Sequence, residues 1–266
     1  LYNLSDDQTE YQINDRMSFM RFLGINLCEK VPDAKTIWKF KNDLAETETV
    51  DKLFCMFDEH LENKGLISHK GTIVDAPRQR NSRDENKKIK NGVIPEEWEK
   101  PENKSKLAQK DIDADWTKKN GERHFGYKDH VKCDADSKLI TNYSVTSASV
   151  HDSQRCLVFI GQEDEVLYAD SAYSGKPIAL ALPENCKNQI CEKGYRNSPL
   201  TSEQKMNNRR KSRIRCRIEH IFGFMTGAMH GITIRSIGIT RAWMNIGITN
   251  LVYNFCRYSY LKRASA

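Results

Sequence analysis

Apolar side chains recur at helical spacing near the N-terminus of the chain. The clearest stripe repeats every three or four residues and consists of Val50, Leu53, Phe54, Phe57 and Leu61. Such a stripe predicts a helix that packs through one face. Ser5 with Gln8 has the pattern of a capping box, and Asp33 is a second N-cap candidate. We therefore predict an all-helical N-terminal module over residues 1–68, ended by the glycine-containing turn 63–65.

Beyond this module the pattern changes to short β-like runs. Residues 72–75 and 166–170 are apolar runs that each end in an aspartate. Two further runs, 124–133 and 139–145, flank a short turn and predict a β-hairpin. Residues 188–192 are a candidate for a last short strand.

A highly charged stretch separates the first of these runs from the hairpin. It covers residues 78–122 and contains few aliphatic side chains. Pro77 precedes it and is expected to end regular strand pairing, since proline has no backbone N–H. We interpret the stretch as a partly helical excursion outside the core, anchored by Trp98 and Trp116.

Two helices are predicted in the C-terminal part of the chain. Thr201 with Gln204 would cap a long basic helix that runs to about residue 224. Its apolar stripe should pack on the sheet and consists of Ile214, Ile218, Ile221, Phe222 and Met225. A final helix is expected over residues 240–260. The order of elements indicates an α/β or α+β fold, with a mixed sheet and flanking helices behind the N-terminal helical module.

The composition supports a folded core and adds a charge asymmetry. The chain has 266 residues, of which 38% are hydrophobic and 29% charged, and this excludes an intrinsically disordered chain. Its net charge of +6 is unevenly spread, because residues 203–263 contain twelve Lys or Arg against two acids. Such a basic segment indicates a polyanionic partner.

Several protein classes are disfavoured by what the sequence lacks. No run approaches the roughly 18 apolar residues of a transmembrane helix, and no signal-peptide pattern is present. The eight cysteines form no CxxC pair, which argues against a zinc site and a disulfide framework. We expect free thiols in a reducing cytoplasm. The missing initial Met indicates a fragment or a trimmed product.

Two aspartates are candidates for chemistry. Asp75 and Asp170 each follow an apolar strand, so both are expected at the rim of the sheet, where open α/β sheets bind ligands. On neighbouring strands they could share a divalent cation, and their hard oxygen ligands suit Mg²⁺ or Mn²⁺. Alternatively, each aspartate only begins a turn or caps the next helix.

A third carboxylate, Glu219, is the only acid between Lys205 and the C-terminus. It is expected at the margin of the buried helix face, about 100° around the helix from Ile218. The alternative role is an i,i+4 ion pair with Arg215, worth about 0.5 kcal/mol or less. Three carboxylates around two metal ions would support in-line phosphoryl transfer, with the basic helix holding phosphates beside them.

Three segments that contain these acids resemble the acid motifs of bacterial DDE transposases, most closely those of the insertion-sequence-five family. They are Ile73-Val74-Asp75-Ala76, Tyr168-Ala169-Asp170-Ser171-Ala172-Tyr173 and Arg215-x-Arg217-Ile218-Glu219-His220-x-Phe222-Gly223. Further stretches resemble the family in the same order, among them residues 77–81, 116–120, 124–128, 150–153 and 250–254. The resemblance therefore covers nearly the whole chain.

This resemblance implies a fold, a reaction and partners. It implies an RNase H-like DDE catalytic domain over residues 69–266, in which Asp75, Asp170 and Glu219 bind two Mg²⁺ or Mn²⁺ ions. It further implies cleavage at the terminal inverted repeats of an insertion element and strand transfer into target DNA. The expected partners are double-stranded DNA and a second copy of the chain, as a homodimer or larger assembly on DNA. The expected location is the bacterial cytoplasm, in association with the nucleoid and without a membrane.

Basic residues near these motifs are the candidates for DNA contacts. In the C-terminal basic segment they are Arg210, Lys211, Arg213, Arg215 and Arg217. Before and within the hairpin they are Lys118, Lys119 and Lys128, for which a solvated surface without DNA is the alternative. The N-terminal helical module is expected to bind DNA or to mediate assembly.

The sequence also departs from the family pattern. Ser212 and Thr226 stand where the family often has Tyr and Lys, and the stretch that follows Asp75 is short. These departures keep two alternatives open. One is a decayed or domesticated copy that binds DNA without catalysis, and the other is a nuclease of the same fold that cuts without joining.

Overall fold

The computed structural model describes residues 1–81, 93–119, 121–231 and 233–264. Part of the predicted charged excursion, residues 82–92 and 120, thus lies outside the described residues. The described chain has a mixed α/β fold with helices on both faces of one sheet and a helical N-terminal region. No helix in the described ranges is long and apolar enough to cross a bilayer.

The N-terminal region contains four helices whose ends follow the predicted caps. They are α1 (Asp6–Asp15), α2 (Met17–Leu23), α3 (Ala34–Glu46) and α4 (Thr49–Asn63). The capping box of Ser5 and Gln8 forms, and the Asp33 side chain accepts a hydrogen bond from Thr36 N. Gly65 has the left-handed φ of +65° expected after a helix end. These predictions are confirmed, whereas the domain boundary at residue 68 stays a prediction.

Eight described strands form one sheet around a long central strand. They are β1 (Thr72–Asp75), β2 (Arg78–Asn81), β3 (Asp115–Lys119), β4 (Glu122–Asp134), β5 (Ile140–Ser147), β6 (Val166–Tyr168), β7 (Lys187–Asn188) and β8 (Thr233–Ile234). β4 pairs antiparallel with β1 along one side and with β5 along the other. β6 and β7 continue parallel to β1. The predicted hairpin and the implied mixed RNase H-like sheet are therefore confirmed.

The structure corrects the interpretation of the charged stretch after Pro77 as an excursion outside the core. β2 begins directly after Pro77 and pairs with residues 126–128 of β4, and β3 pairs with residues 122–126 of the same strand. Pro77 does not end the pairing because its carbonyl oxygen still accepts from Asp129 N at 3.0 Å. Both ends of the stretch are thus part of the sheet. Between them lie two short helices, α5 (Glu96–Glu99) and α6 (Lys104–Leu107), and a 3₁₀ turn, Pro101–Asn103.

The predicted anchors of this stretch are confirmed. Trp98 is buried, and Trp116 packs with its ring centroid 5.2 Å from that of Phe125.

The long basic helix of the prediction is two helices in the structure. The C-terminal helices are α7 (Ser153–Phe159), α8 (Lys176–Ala181), α9 (Ser202–Arg215), α10 (Arg217–Thr226) and α11 (Ile239–Ala264), with a 3₁₀ turn at Ser171–Tyr173. Thr201 and Gln204 form the predicted capping box. Cys216 separates α9 from α10, and this break lets the two helices present different faces to the sheet.

Side-chain alternation along β1 divides the core between the two faces of the sheet. Ile73 belongs to a cluster on one face with residues of α4, α10 and α11. Val74 belongs to a cluster on the other face with residues of α7, α8 and the turn that contains Tyr173. The predicted stripe of α10 is confirmed, since Ile218, Ile221 and Met225 are buried in the first cluster.

Polar side chains of α11 attach this helix to the central hairpin. The Asn254 amide accepts from Ile140 N at 2.9 Å and donates to Ile140 O at 2.7 Å. Asn250 donates to Asp129 Oδ1 at 3.2 Å, while Asp129 Oδ2 has no hydrogen-bond partner. Burial raises the pKa of Asp129 to about 7 against a single hydrogen bond from Asn250 that lowers it. The charged form of Asp129 therefore destabilises the fold.

This raised pKa gives a pH-dependent prediction for Asp129→Asn. Because the pKa is higher in the folded than in the unfolded chain, protonation stabilises the fold, and this contribution is lost as the pH rises through about 7. We expect the variant to be more stable than the wild type at pH 8 by on the order of 4 kcal/mol, with the difference about 2.5 kcal/mol smaller at pH 5. Urea unfolding at both pH values measures this. The exposed Asp7→Asn is the control, and a difference for Asp129→Asn that does not change with pH would contradict the prediction.

Candidate active site

The two candidate aspartates lie at the same edge of the sheet. β1 and β6 are parallel neighbours with Ile73 opposite Tyr168, and Asp75 and Asp170 follow two residues later on each chain segment. This edge is where open α/β sheets bind ligands. The sequence-based expectation that these acids follow neighbouring strands is therefore met.

Glu219 reaches this edge from the first turn of α10. Its neighbour Ile218 is fully buried, while the Glu219 side chain is 55% exposed. The position at the margin of the buried face agrees with the helical spacing. The Asp75 side chain, by contrast, is only 18% exposed. Glu219 therefore has more freedom than Asp75 to rotate, and rotation can bring its carboxylate toward the sheet.

One guanidinium connects two of the three acids. Arg215 Nη1 lies 3.0 Å from Asp75 Oδ2 and 3.4 Å from Glu219 Oε1. The i,i+4 pair of Arg215 with Glu219 was one of the sequence alternatives, and it is present. The contact with Asp75 joins residues 140 positions apart and brings α9 to the end of β1.

The local roles considered for the aspartates are also present. Asp75 Oδ1 accepts from Ala76 N at 2.8 Å, and Asp170 Oδ1 accepts from Ala172 N at 2.7 Å and caps the 3₁₀ turn Ser171–Tyr173. Each carboxylate has roughly four acceptor positions. A cap and a ligand role are therefore compatible in the same side chain.

The electrostatics of the cluster favour an additional cation. The pKa of Asp75 is raised to about 6. Burial is the largest cause and Asp170 and Glu219 add to it, whereas the Ala76 N–H and Arg215 act in the opposite direction. Arg215 contacts two of the three carboxylates, Asp75 and Glu219, so the ionised cluster has excess negative charge. Hard carboxylate oxygens with uncompensated charge fit a divalent cation such as Mg²⁺ or Mn²⁺.

The acids are not gathered around a single point in this conformation. Among the described residues, three potential ligands within 4.8 Å of one another occur at His69, Glu163 and Asp164, and not at Asp75, Asp170 and Glu219. In the former group Lys132 Nζ already lies 2.9 Å from Asp164 Oδ2, so a lysine supplies the positive charge. In this conformation the three candidate acids therefore do not form a cluster of this kind.

Four of the predicted DNA contacts are bonded to other groups of the protein. Arg215 is one of them, through Asp75 and Glu219. Lys211 Nζ donates to Ile190 O at 2.9 Å, and Arg217 Nη1 lies 2.9 Å from Ala135 O and from Asp136 Oδ1.

Lys128 is the fourth and corrects the sequence analysis. It is buried, with Nζ 2.6 Å from Val150 O and 2.8 Å from Asp152 Oδ1, so neither an exposed DNA contact nor a solvated surface describes it. The neighbours that bury it come from a distant part of the chain, the segment after β5. The side chain of Lys119 lies outside the described residues.

Exposed cations remain on α9 and β3. Lys118, Arg210 and Arg213 of the prediction are exposed. Sequence reasoning missed Lys205 and Arg209, which are exposed and share one face of α9 with Arg213 at spacings of four residues.

These three residues line an open groove together with Leu200, Asn208, Ser212 and Cys216. Within the part of the chain that the structure describes, Lys205, Arg209 and Arg213 form no ion pair within 4.0 Å. We call Lys205, Arg209 and Arg213 the basic face of α9. Their regular spacing in the basic segment was the sequence signal that could have identified them.

Comparison with known families gives two matches. The family model of a transposase DDE domain matches residues 69–255, which include all three candidate acids. The family model of a second transposase domain (DUF772) matches residues 1–43, within the N-terminal helices. No solved structure matches the chain.

The contact of Arg215 with Asp75 yields a prediction for metal binding. In Arg215→Gln no guanidinium competes with a divalent cation for Asp75, and a charge-assisted hydrogen bond is worth on the order of 1.5–3 kcal/mol. We expect Mn²⁺ to bind this variant about tenfold more tightly at pH 7.5, since about 1.4 kcal/mol corresponds to a factor of ten. Isothermal titration calorimetry at constant ionic strength measures the affinity.

The matched control for this experiment is Arg213→Gln, which removes an exposed positive charge from the same helix. It should leave the Mn²⁺ affinity within about twofold, because exposed charges at a distance are largely screened. Weaker Mn²⁺ binding by Arg215→Gln would show that Arg215 supports the carboxylates rather than competing for them.

Proposed function

The chain belongs to the transposase family with a DDE domain, and from this membership we propose that it cleaves DNA at the terminal inverted repeats of an insertion element and joins the freed 3′ ends to target DNA. Transposases of this family act on DNA, and their DDE domains use divalent metal ions. The observation that carries the proposal is the arrangement of Asp75 and Asp170 on neighbouring strands with Glu219 held beside them through Arg215.

The proposed catalytic residues are Asp75, Asp170 and Glu219, and the proposed cofactor is a pair of Mg²⁺ or Mn²⁺ ions. Two such ions, when bound, supply activation of a water or 3′-hydroxyl and stabilisation of the leaving oxygen. Backbone N–H groups donate to one oxygen of each aspartate, Asp75 Oδ1 and Asp170 Oδ1, and restrict both side chains. Glu219 completes the site by rotation from its exposed position on α10.

The proposed DNA surface is the basic face of α9 with Arg210 and Lys118. The basic face lies on the same helix as Arg215, so a DNA backbone bound to it passes close to the three acids. Contacts from Lys and Arg to phosphates are independent of base sequence and sensitive to salt. Lys211, Arg217 and Lys128 are left out of this surface because their charges are bound within the protein.

The N-terminal helices are proposed to assist assembly of two or more chains on DNA. Large apolar side chains are exposed there, including Met17 at 70%, Phe22 at 88% and Leu27 at 73%. Exposed apolar surface of this kind often marks contacts with other proteins. An elution volume in size-exclusion chromatography that does not change with element-end DNA would contradict this part of the proposal.

A second candidate is a DNA-binding protein without catalysis. Two observations favour it. Arg215 forms an ion pair with Asp75, and the three carboxylates do not converge in the described conformation. Such a protein would keep the basic face of α9 and would bind DNA without a divalent cation. The two candidates therefore differ in metal-dependent cleavage.

Cleavage of a labelled element-end duplex with Mn²⁺ tests the catalytic residues. We expect the wild type to nick at the element boundary, and Asp75→Asn, Asp170→Asn and Glu219→Gln each to lower the rate by about 10³-fold or more. The control is Glu203→Gln, which removes the exposed acid in the first turn of α9 and should leave the rate unchanged.

A second readout of this reaction is a product in which the 3′ end is joined to target DNA. Its formation distinguishes a transposase from a nuclease of the same fold. If the wild type and the three acid variants bind the duplex equally and none cuts it, the protein is a DNA-binding relic and the catalytic proposal is wrong.

Salt titration tests the DNA surface independently of catalysis. Each phosphate contact contributes a slope of about −0.9 to the dependence of log affinity on log salt. Lys205→Gln, Arg209→Gln and Arg213→Gln should each lower the magnitude of the slope by about 1, as measured by fluorescence anisotropy. Lys211→Gln is the matched control on the same helix, and an equal effect in it would contradict the assignment of the basic face.

A further inference from the structure

The hydroxyl of one buried tyrosine near the candidate acids has no evident role in the fold. The Tyr173 side chain is fully buried, and its hydroxyl has no hydrogen-bond partner. A buried polar group without a partner is costly, and a phenylalanine would fill the same space without that cost. The hydroxyl therefore calls for an explanation other than packing.

Other buried tyrosines of this protein make hydrogen bonds. The Tyr127 hydroxyl donates to Asp111 Oδ1 at 2.8 Å, and the Tyr253 hydroxyl donates to Lys138 O at 2.8 Å. Tyr143 donates to Asp51. Tyr173 differs from these three although it is at least as deeply buried.

The position of Tyr173 connects it with both aspartates of the proposed site. It ends the 3₁₀ turn that Asp170 caps, and its backbone N–H donates to Asp170 O at 3.2 Å. Its ring belongs to the cluster that contains Val74 and Ala169, which directly precede Asp75 and Asp170. The phenol thus packs in the same cluster as the residues that directly precede the two aspartates.

The charges around the hydroxyl keep it a donor. Burial raises the pKa of Tyr173, and the carboxylates of Asp75, Asp152 and Asp170 and the Cys156 thiol raise it further. Asp75 has the largest effect of these four groups. A protonated phenol can donate to a carboxylate that comes within hydrogen-bond distance, and in the described conformation the Asp75 carboxylate is bonded to Arg215 and to Ala76 N instead.

We propose that Tyr173 is a positioning residue for metal binding, whose hydroxyl donates to the Asp75 carboxylate, directly or through one buried water, when a divalent cation draws Asp75 away from Arg215. This inference rests on the proposed function, because it takes Asp75 as a metal ligand. A hydrogen bond from Tyr173 restricts the rotation of the carboxylate and leaves its second oxygen for the cation. It also satisfies the hydroxyl that has no partner in the described conformation.

The variant that isolates the hydroxyl is Tyr173→Phe. Without metal, its melting temperature should equal or exceed that of the wild type, because no formed hydrogen bond is lost. Its affinity for Mn²⁺ should be about tenfold lower, as expected for the loss of a hydrogen bond to a charged ligand. Calorimetric titration with Mn²⁺ and the Mn²⁺-induced rise in melting temperature are the two readouts, and neither depends on DNA cleavage.

The matched control is Tyr253→Phe, which removes a hydroxyl that does form a hydrogen bond. It should lower the melting temperature without metal and leave the Mn²⁺ affinity within about twofold of the wild type. A Tyr173→Phe variant that behaves like this control, or that binds Mn²⁺ as tightly as the wild type, would overturn the proposal.

Asp75→Asn separates this proposal from the proposed function. If Mn²⁺ raises the melting temperature of the wild type and of Asp75→Asn equally, Asp75 is not a ligand, and both proposals are refuted. If Tyr173→Phe weakens Mn²⁺ binding but the wild type does not cleave DNA, the role of Tyr173 is upheld and the catalytic proposal alone fails.

Discussion

The hydrogen-bond ladder of β4 is the constraint on which the rest of the structure depends. This strand spans Glu122–Asp134, and it pairs with β1 and β2 along one side and with β3 and β5 along the other. A buried strand of this length exposes many backbone N–H and C=O groups, and each must find a partner. Pairing with four strands satisfies these groups, and this pairing fixes the register of β1 along β4. Since β6 pairs with β1, the ladder also fixes where Asp75 and Asp170 lie.

The charge balance at the end of the sheet that contains Asp75 and Asp170 depends on one arginine. Arg215 links the end of β1 to the first turn of α10, and it partly offsets the mutual repulsion of the carboxylates. It is a weaker partner for three acids than a pair of divalent cations, because it supplies a single positive charge. In the described conformation a guanidinium therefore supplies positive charge to Asp75 and Glu219. The contact of Arg215 with Asp75 and Glu219 accounts for the incomplete convergence of the three acids in a chain that belongs to a catalytic family.

The basic residues of α9 separate by helix face. Lys205, Arg209 and Arg213 follow one another at four-residue spacing and face solvent, whereas Lys211 and Arg215 contact other parts of the protein. A high local count of Lys and Arg therefore overstates the charge available to a polyanion. Burial of Lys128 beside Asp152 makes the same point on the sheet. The basic surface that remains available to DNA contains fewer residues than the sequence indicated. It adjoins the three acids through Arg215.

The sequence by itself determined the features that depend on nearby residues. The capping boxes at Ser5 and Thr201, the β4–β5 hairpin and the buried stripe of α10 follow from interactions over a few positions, and the acid motifs were recognisable as short strings. The tertiary structure decided the pairing of β2 with β4 after Pro77, the contact of Arg215 with Asp75 and the isolation of the Tyr173 hydroxyl. Each of these depends on a segment that is distant in the chain, and its formation is set by the packing of the whole sheet rather than by local propensity.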